Sequence, residues 1–119
     1  MTAELLDGRA IAKTIRREIA ADVHAFQEEF GFVPTIAVVR AGEDPASVSY
    51  ARMIKRSFER AGMGFALHTL PDTATQDQVL STVNWLNVDE SVHGIMVQEP
   101  LPGGIDDIVV KMALSPAKD

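Results

Sequence analysis

The chain has 119 residues, 46% hydrophobic and 24% charged, with 17 acids against 11 bases and a net charge of −6. That length suits one domain with a buried core rather than two, and the acid excess argues against a nucleic-acid surface, which needs clustered Lys and Arg. The lack of cysteine excludes disulfides, thiolate zinc sites and thiol catalysis. His24, His68 and His93 lie far apart with no HxH or HExxH spacing, so no metal site is expected. No apolar run approaches the ~20 residues of a membrane span, and "MTAELLDGRA" has no signal-peptide pattern. A cytoplasmic protein without membrane or nucleic-acid partners is expected.

The first stretch, "AELL", reads as a short edge strand. Apolar residues then recur at Ile11, Ile15, Ile19, Val23, Phe26 and Phe30, which predicts a one-sided amphipathic helix over 9–30, begun by Asp7 or Gly8 and ended by Gly31. "TIAVVR", 35–40, is a β-branched run expected to be buried on both faces. Pro45 behind an Asp44 cap starts a second helix, which runs to Gly62 and stacks Tyr50, Ile54 and Phe58 on one face. "GFALHTL" is a second strand. A helix over 75–87 turns Val79, Val83 and Leu86 inward, "VHGIMVQ" (92–98) is a third buried strand, and a last helix begins near Ile105.

Strand and helix alternate throughout. The pattern predicts a single three-layer α/β domain with a mostly parallel sheet and helices on both faces. Ligands of such sheets bind beyond the carboxyl ends of the strands, so "AGEDPASVSY" and "QEPLPGG" are the candidate site segments. Gln98, where the third strand leaves the sheet, either satisfies loop backbone groups or reads a ligand. The Pro-Leu-Pro stretch fixes backbone direction, as a pocket wall or a plain turn requires.

"GEDPASVSY", "LPDTATQDQV", "LNVDESVHGIMVQEPLP" and "SPAKD" occur in order. Together they resemble the amino-terminal catalytic domain of bifunctional methylenetetrahydrofolate dehydrogenase/methenyltetrahydrofolate cyclohydrolase, from "LLDGRAIA" to the last residue. The resemblance implies that residues 1–119 are this catalytic domain, working in one-carbon metabolism. A Rossmann domain, absent from this chain, would hold NADP or NAD, and the full-length parent would be a homodimer. Nothing here supplies the Gly-rich dinucleotide fingerprint, so the chain alone is expected to bind no cofactor and to be inactive.

Tyr50 matches the tyrosine that stacks on the folate pterin, and Gln98 matches the glutamine that assists the catalytic group. Pro100 and Leu101 match positions beside the substrate. Asp119 matches the first acid of a "KDVDG" motif whose second acid holds the pterin. The family's catalytic lysine, one turn after the tyrosine, is Ile54 here. An isoleucine can neither donate a proton nor stabilise charge, so the resemblance implies a dehydrogenase whose cyclohydrolase step is in doubt. Two alternatives stand: a bifunctional enzyme in which Lys55 substitutes through a helix bulge, or a folate-binding or interaction module without catalysis. Glu99, usually apolar in the family, adds a carboxylate beside an anionic ligand.

Overall fold

A computed structural model describes residues 2–119. Asp7 accepts hydrogen bonds from the backbone N–H groups of Arg9 and Ala10 at 3.0 and 3.3 Å and caps helix α1 (Gly8–Phe30), which Gly31 ends at φ 80°. Strand β1 (Thr35–Ala41) follows, then α2 (Pro45–Arg60), β2 (Gly64–Leu70), α3 (Gln76–Val88), β3 (Gly94–Val97) and α4 (Asp107–Ala113). The three strands form an all-parallel sheet in the order β2-β1-β3. The α/β expectation is met.

β1 lies in the middle, which is why its sequence is apolar without alternation. Ala37 and Val39 pack with Leu86, Val92 and Ile95, and Ala41 joins Val79, Val83 and Val110 beneath α3 and α4. On the other face Val38 is fully buried, and Arg40 lies with Phe65, Leu67 and the α2 residues Val48 and Ala51. Helices therefore cover both faces. The inward residues of α3 are Val79, Val83 and Leu86, as its spacing predicts.

Three expectations are corrected. "AELL" forms no strand: the sheet edges belong to β2 and β3, and Leu5 and Leu6 are exposed. The last helix starts at Asp107, because the Asp106 carboxylate accepts from the N–H groups of Ile108 and Val109 and sets the boundary there. Most consequentially, α1 does not bury its apolar row. Val23 is covered, and Phe26 and Phe30 join Phe32 in a ring cluster whose Phe32 stacks on His93. Ile11, Ile15 and Ile19 remain exposed. The radius of gyration is accordingly 17.0 Å, against about 13.5 Å for a compact chain of this length. No helix among the described residues is long and apolar enough to cross a membrane.

Candidate functional site

The carboxyl ends of β1 and β3 open into a cleft of about 490 Å³. One wall is the first turns of α2, with Asp44, Ser47 and Tyr50; the other is the exit of β3, with Met96, Val97, Gln98, Glu99 and Pro100. The two walls are locked together. The Asp44 carboxylate accepts from the Ser47 N–H at 3.1 Å, capping α2. The Ser47 hydroxyl donates to the Glu99 carbonyl at 3.1 Å, and Gln98 Nε2 donates to the Ser47 carbonyl at 2.9 Å. Gln98 N–H also donates to the Val39 carbonyl at 2.8 Å, holding the strand exit on β1.

These bonds orient the Gln98 amide. Its carbonyl partner on Ser47 can only accept, so the nitrogen must face Ser47 and Oε1 must point elsewhere. Gln98 is buried, and Oε1 has no hydrogen-bond partner among the described residues. An unmade buried acceptor costs free energy; it suits a site that takes a donor from a ligand.

Tyr50 lines the cleft with about half its surface (48%) exposed. Pro100 lines the cleft, whereas Leu101 packs on the core cluster of α3 and α4. Ile54, one turn after Tyr50, is only 7% exposed and belongs with Ser47 and Ala51 to the buried face of α2. The expected row is thus split between a half-exposed Tyr50, a buried Ile54 and a partly buried Phe58.

Lys55 points away from this cleft. It lines a separate groove with Arg40 and Arg52 and stands 4.0 Å from Glu59 on its own helix; α2 is α-helical throughout, without a bulge. Glu99 is balanced: Lys111 Nζ lies 2.6 Å from its Oε1. The hydrogen bond and charge of Glu99 hold the Lys111 pKa above its ordinary 10.5. While Glu99 is ionised, that contribution is present below pH 10.5 and is lost as pH rises through the raised value. Asp119 closes the last turn by donating its N–H to the Ser115 carbonyl at 3.0 Å, and it lies in a different groove with Lys111 and Lys118. Ser47 was not singled out by sequence reasoning; its place one turn before Tyr50 was the available signal.

The helix N-termini offer little to a nicotinamide dinucleotide. Its pyrophosphate needs a helix N-terminus with free N–H groups, yet Asp7, Asp44, Thr75 and Asp106 cap all four described helices, three of them with carboxylates. Among the described residues no group of three or more His, Asp or Glu side chains could hold a metal ion.

The sequence profile of the tetrahydrofolate dehydrogenase/cyclohydrolase catalytic domain matches residues 6–119. A bifunctional protein FolD from Roseiflexus sp. is 44% identical over 119 residues, all of this chain and 41% of that protein. The Trypanosoma brucei methylenetetrahydrofolate dehydrogenase-cyclohydrolase, crystallised with NADP and an inhibitor, is 31% identical at a TM-score of 0.90, over 100% of this chain and 41% of that one. The NAD-dependent 5,10-methylenetetrahydrofolate dehydrogenase of Saccharomyces cerevisiae is 27% identical at a TM-score of 0.81, over 92% of this chain and 34% of that one. The chain thus spans about two fifths of the length of the curated relatives it matches. It belongs to the tetrahydrofolate dehydrogenase/cyclohydrolase catalytic-domain family.

Proposed function

We propose that residues 1–119 form the folate-binding catalytic domain of a cytoplasmic methylenetetrahydrofolate dehydrogenase. The parent would oxidise 5,10-methylene- to 5,10-methenyl-tetrahydrofolate with NADP or NAD held by a separate Rossmann domain, as a homodimer. The observation that carries this reading is the pairing of a half-exposed Tyr50 ring with the buried, unpartnered Gln98 Oε1 across one cleft. A folate offers a flat heterocycle for the ring and N–H donors for the oxygen. Pro100 stiffens the wall between them, with Leu101 supporting the same loop from the core side.

The reading extends to dehydrogenation without the cyclohydrolase step. Activating water against a methenyl-folate calls for a charged or titratable group in the cleft. No cation lines the cleft: Ile54 is uncharged and buried, Lys55 sits in another groove, and Lys111 is held by Glu99, while the titratable groups that do line it are Asp44, which caps α2, Glu99, which pairs with Lys111, and Tyr50. Hydride transfer asks less of the protein, which has only to position the folate's bridging carbon.

Titration of the chain with a reduced folate tests the site. Tyr50→Ala should weaken binding by about two- to twelvefold beyond the loss of contact area, the worth of one stacked aromatic; a folate affinity indifferent to Tyr50 would move the site elsewhere. The 119-residue chain itself should reduce neither NAD nor NADP with methylene-tetrahydrofolate, since its helix N-termini are already capped. Measurable reduction by the purified chain would contradict this.

A further inference from the structure

Arg40 is a charged residue in the middle strand β1, two positions after the fully buried Val38 and on the same face of the sheet. Its charge serves no ion pair. Among the described residues neither Arg40 nor Arg52 is in a salt bridge, although Glu43 and Asp72 line the cavity on one side of Arg40. The Arg40 side chain is nevertheless oriented, because Nε donates to the Gly42 carbonyl at 3.2 Å. Gly42 is itself pinned, at φ 89° with its N–H donated to the Leu70 carbonyl at 2.9 Å. The outer N–H donors of the guanidinium, on Nη1 and Nη2, make no hydrogen bond among the described residues.

Arg40 lines a groove of about 280 Å³ with Arg52 and Lys55 from α2 and Phe65 and Leu67 from β2. Arg52 and Lys55, three residues apart, are neighbours on α2. They stand on the side of that helix away from the cleft, since about 200° of helix turn separates Arg52 from Tyr50. Phe65 and Leu67, two apart on β2, share one sheet face and give the groove an apolar floor. Leu67 is still 40% exposed on this edge strand. Lys55 has Glu59 at 4.0 Å, an exposed pair worth little in water. Three cations from two elements therefore surround one groove in a chain of net charge −6. They repel one another, and an anion between them turns that repulsion into attraction.

We propose that this groove is a second ligand site, separate from the Tyr50–Gln98 cleft, for a small organic phosphate monoester. The dianionic head sits among Arg40, Arg52 and Lys55, and an apolar body lies against Phe65 and Leu67. A guanidinium fork matches phosphate oxygens in pairs, and Arg40 presents one that is already oriented. Two negative charges answer three cations better than a single carboxylate does. The volume lies just below the range of drug-sized ligand sites, which limits the body to about one ring.

The test is titration of the isotope-labelled chain with phenyl phosphate, followed through its amide NMR signals. Saturable shifts are expected at Arg40, Arg52, Lys55, Phe65 and Leu67, with a dissociation constant on the order of 1 mM because the charge pairs are exposed. Inorganic phosphate lacks the ring and benzoate carries one charge, so each should bind about threefold more weakly or worse. Arg40→Gln and Arg52→Gln should each weaken phenyl phosphate about threefold or more. Arg52 is exposed on its helix, so its variant decides the matter if Arg40→Gln disturbs the strand. Tyr50→Ala should leave the affinity for phenyl phosphate unchanged, which separates groove from cleft. Absence of saturation, shifts centred on the cleft, or an affinity indifferent to both arginines overturns the site. Equal affinity for inorganic phosphate or for benzoate overturns its assignment to a phosphate ester with an apolar body.

Discussion

In the full-length dehydrogenase proposed above, Ile54→Lys is expected to raise hydrolysis of methenyl-tetrahydrofolate on the order of a hundredfold or more, the usual lower range for a positioned acid–base group. Side chains on a helix lean toward its N-terminus. A lysine at 54 therefore leans toward Ser47, whose carbonyl already holds Gln98 Nε2 at 2.9 Å. Gln98 Oε1, buried and unpartnered, is the acceptor that an ammonium arriving on this face would meet. A cyclohydrolase rate that does not rise, in a variant that still dehydrogenates, would show that something other than Ile54 limits the step.

The substitution also has a cost, and its sign separates the two ways it could fail. Ile54 is 7% exposed, so an ammonium placed there loses hydration. An ammonium buried without a charged partner costs about 3–5 kcal/mol unless it gives up its proton, and each kcal/mol lowers the melting temperature of a domain this size by roughly 4 °C. If Gln98 Oε1 accepts from the new lysine, Ile54→Lys should be better tolerated with Gln98 present than in a Gln98→Leu background. The coupling should be about 0.5–3 kcal/mol, as for residues in direct contact. Lys55→Ala is the control, since Lys55 pairs with Glu59 in another groove; cyclohydrolase activity in the unsubstituted protein that vanished with Lys55→Ala would restore the bifunctional reading.

The core was legible where one period sufficed. "TIAVVR" reads as a doubly buried strand because no polar residue interrupts Ala37–Val39, and Val79, Val83 and Leu86 announce the inner face of α3. The row Ile11, Ile15 and Ile19 misleads in the same language: periodicity states that a face is apolar, not that its cover lies within the same stretch of chain. At the site, Tyr50 and Gln98 were legible as positions and Ile54 as a departure. The bond between Gln98 and Ser47 was not, because it joins residues 51 positions apart.

Gln98→Leu is expected to stabilise the isolated chain while weakening its folate binding. The usual consequence of cutting a buried hydrogen bond is a lost partner left unsatisfied. Here the partner is the Ser47 carbonyl, which as a helical residue already has the main chain of α2 to accept from. What the substitution removes instead is Oε1, the one buried side-chain acceptor without a partner among the described residues. Leucine has a similar volume and suits a position that is 5% exposed. Relief of an unsatisfied acceptor is worth about 1 kcal/mol or more, so urea unfolding should move to a higher midpoint with an unchanged slope. Folate affinity should fall at the same time, by about tenfold, since the ligand's N–H then meets a hydrocarbon in place of an oxygen. A stabilised variant with full folate affinity would remove Gln98 from the site, and a destabilised one would mean that Oε1 is satisfied in the folded protein. Both the expected gain and the expected loss trace to one atom, so measuring them together separates an oxygen that reads a ligand from one that serves only the fold.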